Sequence, residues 1–216
     1  MPAAALMLVV GLGAPLTVRA QDSGDSATPP PRPYVAPLKG DFTMLERISY
    51  DPKTESTGTA NSGQAPAAGS QLQEVQAVET GIVRKDKKLF GDGTSTEIWR
   101  SGALRFLLDS KSPDGVVVAS HEMSYYNDPP DFQEVEWIGP KSYQGVQLLG
   151  DKNCYYYVQG EQKAWIDETT KWPLRYDSPT MHISYSYGAP SGPLQLPPIC
   201  AKKFEQMRRA WAGLPK

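Results

Sequence analysis

The chain has 216 residues, 39% of them hydrophobic, with 19 Gly, 20 Pro and a formal net charge of −2. That length accommodates one sizeable domain, and the Gly and Pro content implies much turn and loop. A charge so close to neutral excludes the basic footprint of a nucleic-acid partner.

The first twenty residues, MPAAALMLVVGLGAPLTVRA, hold an apolar run from Ala3 to Leu16 and end in Val18-Arg19-Ala20. Small residues at those last positions are what a signal peptidase reads, so residues 1–20 are expected to be a signal peptide. The run is shorter and more broken than the roughly 20 apolar residues of a membrane span. A periplasmic or secreted protein without a transmembrane anchor after cleavage is therefore expected. Residues 21–40, QDSGDSATPPPRPYVAPLKG, show no apolar periodicity and read as a Pro-rich linker. The remainder, 41–216, is expected to form a single domain.

Residues 42–50, FTMLERISY, fit two elements. Leu45, Ile48 and Ser49 fit a short helix, while the β-branched and aromatic residues fit a strand. Residues 51–70 are rich in Gly, Ser, Ala and Pro and read as a flexible insertion.

From Gln71 onward strands predominate. The cluster Arg84-Lys85-Asp86-Lys87-Lys88 reads as a solvated strand or turn. Leu104, Phe106 and Leu108 alternate with Ala103, Arg105 and Leu107, so one strand face is wholly apolar. A turn over 110–115 then leads to a strand over 116–120. Val135 and Trp137 alternate with Glu134 and Glu136 as in a strand, and Tyr143–Leu149 and Asn153–Gln159 form two more around Gly150-Asp151. Met181, Ile183, Tyr185 and Tyr187 share one face of a later strand, with His182, Ser184 and Ser186 on the other. Such strands predict a mainly β fold, an antiparallel sheet that must curl or be covered.

Two tryptophans flank the polar stretch Asp167-Glu168-Thr169-Thr170. As a four-residue hairpin loop it would set Ile166 opposite Lys171 and Trp165 opposite Trp172. That pair is either a sheet contact worth up to about 1 kcal/mol or one wall of an apolar site. Pro173 cannot donate to a ladder, which suggests an edge strand.

Cys200, Phe204, Met207 and Trp211 recur at helical spacing after Pro197-Pro198 and before Gly213, so a C-terminal helix should lie on the sheet. The chain has two cysteines, Cys154 and Cys200. In an exported protein an even count reads as a disulfide, whereas in a reducing compartment the same two would be buried thiols. A bond closing about 47 residues would stabilise by roughly 4 kcal/mol in the chain-entropy model.

Nothing in the sequence supports catalysis. There is no G-x-S-x-G and no H-E-x-x-H. His121-Glu122 reads as a strand-end pair, and His182 as a solvated residue on a polar face. Asp128, Asp131, Glu134 and Glu136 lack the spacing and glycine of a calcium loop. No metal site and no cofactor is expected. Tyrosines and tryptophans such as Tyr155, Tyr157, Trp165 and Trp172 could stack on sugars, so a carbohydrate-binding module stands as an alternative.

The succession QGVQLLGDKNCYYYV, KAWIDETTKWPLRY and HISYSYGAPSGPLQLPP resembles the second half of the outer-membrane lipoprotein-sorting, or LolA-like, superfamily. The matching residues are Trp165-Ile166-Asp167, Pro173-Leu174-Arg175 and Leu196-Pro197-Pro198, and EIWRSGALRFLLDS over 97–110 is similar to an earlier strand pair. The resemblance covers about 71–200. It implies an antiparallel half-barrel with helices over its open side, enclosing an apolar cavity that receives acyl chains.

Together these readings predict a curled antiparallel half-barrel with a C-terminal helix and, on the helical reading of 42–50, a short N-terminal one. The expected function is that of an exported, non-enzymatic carrier for a lipoprotein acyl chain or other lipid-like ligand. An envelope interaction module with a fully packed sheet, having an envelope protein as partner, is the alternative. The candidate ligand wall comprises Leu104, Phe106, Leu108, Val135, Trp137, Tyr156, Val158, Trp165, Trp172, Met181, Ile183 and Tyr185.

Overall fold

A computed structural model describes residues 28–51, 71–102, 104–117 and 131–213, with backbone alone over 112–117. The expected signal peptide and nearly all of the 51–70 insertion lie outside the described residues, as do His121, Glu122 and Asp128.

Eleven strands form one antiparallel sheet. They are β1 (Phe42–Tyr50), β2 (Leu72–Thr80), β3 (Val83–Phe90), β4 (Ser95–Ser101), β5 (Leu104–Asp109) and β6 (Ser112–Val117), then β7 (Tyr143–Leu149), β8 (Lys152–Gln159), β9 (Gln162–Asp167), β10 (Pro173–Asp177) and β11 (Met181–Gly188). The spatial order is β6-β5-β4-β3-β2-β1-β11-β10-β9-β8-β7. Two meanders thus meet on a central β1, giving a curled half-barrel that stays open between its edges β6 and β7. A 14-residue helix, α1 (Pro198–Trp211), completes the fold.

Residues 42–50 are a strand, not a short helix. β1 is hydrogen-bonded on both sides, to β2 and to β11, so its alternating Phe42, Met44, Glu46 and Ile48 share one face. Pairing across the sheet overrides the weak helical spacing. Gly150 and Gly160, at φ 66° and 60°, open the two-residue turns that join β7, β8 and β9. Positive φ at that position suits a turn matching strand twist, which fixes the register of all three strands. The strand after β5 begins at Ser112, so its turn is only Ser110-Lys111.

Side-chain parity divides the core in two. Phe42, Met44, Ala77, Tyr157, Ala164, Ile166, Tyr176, Ile183 and Tyr185 pack together on one face. Covering them are residues 34–38, here called the strap, and the segment 131–143, which carries two single-turn 3₁₀ helices. On the opposite face, Trp99, Leu104 and Phe106 lie under α1 through Cys200, Phe204 and Met207. Each face buries its own apolar set, as a sheet packed on both sides requires.

Several expectations need correction. Residues 34–38 are no free linker: Leu38 is buried, its N–H donates to Asp131 Oδ2 at 3.0 Å, and the Ala36 N–H donates to the Lys171 carbonyl at 3.0 Å. Residues 133–135 form a 3₁₀ turn, not a strand. Phe132, Val135 and Ile138 recur every three residues, the period of that helix, and all three face the core. Nor is the 84–88 cluster wholly solvated, because Asp86 is buried and the Arg84 side chain is 15% exposed.

Cys154 and Cys200 are free, buried thiols and form no disulfide. Cys200 packs over β4 and β5, whereas Cys154 lies on β8, seven strands from β4 in the sheet order. At a spacing of about 4.8 Å that is on the order of 30 Å along the sheet, against the roughly 4.4–6.8 Å between Cα atoms that a disulfide spans. Burial, the largest cause, pushes the Cys154 thiol up to about 11, and it raises Cys200 as well.

Candidate functional site

The hairpin after β9 differs from its predicted register. Asp167 closes the loop with Trp172, donating its N–H to the Trp172 carbonyl at 2.9 Å and accepting from Lys171 at 2.9 Å. The loop keeps four residues but moves along by one, to Glu168–Lys171, and Lys171 takes a φ of 62°. The Asp167 carboxylate holds the turn by accepting from the N–H groups of Thr169 and Thr170 at 2.8 and 2.9 Å. With that displacement and the register shift between Pro173 and Arg175, Trp165 pairs with Arg175, and the two indoles do not meet. Pro173 lies at a register shift within an interior strand, where its missing N–H is accommodated without an edge.

The twelve residues of the expected ligand wall fall on both faces. Leu104, Phe106 and Leu108 pack under α1. Tyr156, Val158 and Trp165 share that face further along the sheet, since Tyr156, Trp165, Arg175 and Ser184 are successive cross-strand partners. There Trp165 lies 5.0 Å from the Tyr156 ring, under the Arg175 guanidinium, and donates to Gln147 Oε1 at 3.2 Å. Val135, Trp137, Trp172, Met181, Ile183 and Tyr185 come together on the strap face. Trp172 meets Tyr187 at 4.9 Å with the ring planes tilted by 42°, and Phe132 meets Tyr185 and Tyr187 edge-on at 5.8 and 6.4 Å. The aromatics of β8 to β11 are therefore distributed over two packed layers.

Between the strap and the 131–140 segment lies an open groove of about 790 Å³. Its apolar wall is Tyr34, Val35, Phe132, Val135 and Ile138, and Arg32, Arg84, Arg100, Asp131 and Glu136 line its polar side. Three guanidiniums and two carboxylates line the groove, and Asp86 pairs with two of those guanidiniums, Arg84 and Arg100. Of the expected wall, only Val135 lines this groove.

An ion-pair network holds the polar side. Arg84 donates from Nη1 to Asp131 Oδ1 at 2.8 Å and from Nε to Asp86 Oδ1 at 2.9 Å. Arg100 Nη2 lies 3.0 Å from Asp86 Oδ2, and Glu79 lies 3.8 Å from Arg84. Burial alone would lower the Arg84 pKa, yet Asp86 and the Asp131 hydrogen bond carry it above its usual value. Asp131 is the joint of the site, because its second oxygen accepts from the strap at Leu38.

On the same face of the sheet, Glu46 points from β1 into the strap-face core and is 6% exposed. Desolvation, followed by the nearby Glu134 charge, raises its pKa to about 8, with Lys88 opposing. The Tyr185 hydroxyl donates to Glu134 at 3.4 Å, and burial drives that phenol's pKa far upward.

Neither the strap nor the arginines were among the expected ligand residues. The strap has no periodicity to detect, but the Phe132, Val135, Ile138 spacing was a readable signal. Among the described residues no group of three or more His, Cys, Asp or Glu side chains is placed to hold a metal ion, and no helix is long and apolar enough to cross a membrane. His182 is exposed, as expected, and its Nδ1 lies 2.9 Å from Asp177. No protein-family model and no curated protein matches the sequence.

Proposed function

We propose that the protein is an exported, non-enzymatic binding protein or carrier for a lipid-like amphiphile, in keeping with the LolA-like resemblance. The observation that carries this reading is the groove of about 790 Å³ between the strap and the 131–140 segment. Its volume falls in the range of small-ligand sites, roughly 300–1,000 Å³, and its lining is apolar with a few convergent polar groups. An acyl chain would lie along Val35, Phe132, Val135 and Ile138, gaining about 0.8 kcal/mol per buried CH₂. Arg32, whose guanidinium lies 5.7 Å over the Tyr34 ring in the same lining, suits a carboxylate or ester head, since Arg pairs with such oxygens through a planar fork of donors.

The envelope interaction module has its own support. Leu104, Phe106, Val135, Trp165, Ile183 and Tyr185 are all buried against the chain's own side chains. A ligand reaches them only by displacing their neighbours, which close packing resists.

Titration with a fluorescent fatty acid distinguishes the two readings. The carrier reading expects saturable uptake that Val35→Glu weakens about tenfold or more, equivalent to roughly 1.4 kcal/mol. Uptake that is absent, or unchanged in Val35→Glu, would favour the interaction module.

A further inference from the structure

The two edges of the sheet differ in how they are protected. β6 carries Pro113, Asp114 and Gly115 in its sequence, residues that blunt an edge against further pairing. β7 reads YQGVQLL, with no charge and no proline, and among the described residues β8 is its single strand neighbour. One bulge, at the register shift between Tyr143 and Gly145, interrupts its first part. From Gly145 to Leu149 the strand runs in register, and it exposes Val146 and Leu148, 43% and 50% accessible. A row of unpaired backbone groups beside exposed apolar side chains is a template for strand addition.

The charges at the two ends of β7 indicate what adds to it. Lys141, in the 3₁₀ turn just before β7, and Asp151, in the turn just after it, are both exposed, and each lies five residues from Val146, on opposite sides. If β7 meets another β7 antiparallel about a two-fold axis through Val146, Lys141 of one copy comes to the end occupied by Asp151 of the other. Two opposite-charge pairs then flank a neutral strand pair, and no like charges are opposed. We infer that the β7 edge docks a second copy of this chain, Val146 against Val146, extending two sheets into one. Such an interface is isologous and closes on itself. A single strand pair is small beside the roughly 800 Å² per partner of a standard interface, so the dimer forms with rising concentration.

Sedimentation velocity over a concentration series tests this on the exported chain, independently of any ligand. The wild type should pass from monomer to dimer. Val146→Lys, which opposes two ammonium groups at the axis, should weaken association tenfold or more. Lys141→Asp should weaken it too, and the double variant Lys141→Asp with Asp151→Lys should restore it. In Val146→Cys the two Cβ atoms would face each other at a cross-strand spacing of about 4.5–5.5 Å, which brings the sulfurs within reach of each other. With copper phenanthroline as oxidant, that variant should form a disulfide-linked dimer, while the native cysteines stay buried. A wild type that is monomeric throughout overturns the inference. So does a dimer indifferent to Val146→Lys and to the charge swap, or a Val146→Cys dimer that does not cross-link.

Discussion

Arg84 on β3 reaches Asp131, 47 residues along the chain, at 2.8 Å, and Asp131 in turn holds the strap through the Leu38 N–H at 3.0 Å. One carboxylate thus joins three segments that are distant in sequence and that together form the groove. Both side chains of the pair are 15% exposed, so removing either leaves a largely desolvated charge behind.

Breaking that joint should therefore cost more than a surface ion pair. Asp131→Ala is expected to destabilise by about 3–5 kcal/mol, the range for a broken buried pair. It should also raise hydrogen exchange at Leu38. Asp131→Asn keeps an acceptor for Leu38 and should cost less. Denaturant unfolding of the three proteins measures the order, and equal stability of wild type and Asp131→Ala would refute the joint.

Glu46 gives the protein a pH dependence of definite sign. Its pKa is about 8 in the folded chain against an ordinary value of 4.5, so between these values the folded state binds more protons than the unfolded state. The resulting stabilisation is complete below about pH 4.5 and is lost as pH rises through 8. Glu46→Gln removes the ionisation. It should match the wild type in acid and exceed it in alkali by a few kcal/mol, at about 1.4 kcal/mol per pKa unit. The difference between the two proteins isolates this group from carboxylates that titrate the other way, such as Asp167 and Glu97. A difference that stays flat from acid to alkali would contradict the assignment.

The strand and helix elements were largely legible in the sequence because each carries its own period. Tyr143–Leu149 matched β7, and the Cys200, Phe204, Met207 stripe located α1, although Trp211 at its end is 56% exposed. Which face a strand buries was not legible. Leu104 and Ile183 look alike as alternating apolar residues, yet parity carried through five strand pairings sets them on opposite sides of the sheet. A one-residue displacement of the loop, with the register shift after Pro173, likewise decided whether Trp165 faced Trp172. The strap escaped detection because its contacts are backbone hydrogen bonds and isolated apolar residues, neither of which has a period.

The cysteines supply a further check. Both are buried and unpaired, with thiol pKa values raised by burial, so they should resist alkylation in the folded protein. Thiol titration is expected to find two groups only after unfolding, and reductant should leave the melting temperature unchanged. A non-reduced peptide map with Cys154 joined to Cys200 would require a different placement of α1.

Whether the groove holds an amphiphile is decided most directly by native mass spectrometry of the protein taken from its natural source before any delipidation. The carrier account predicts a bound mass that organic solvent removes and that Val35→Glu protein lacks. Protein that arrives without any added mass, and that takes up no fatty acid afterwards, would contradict it.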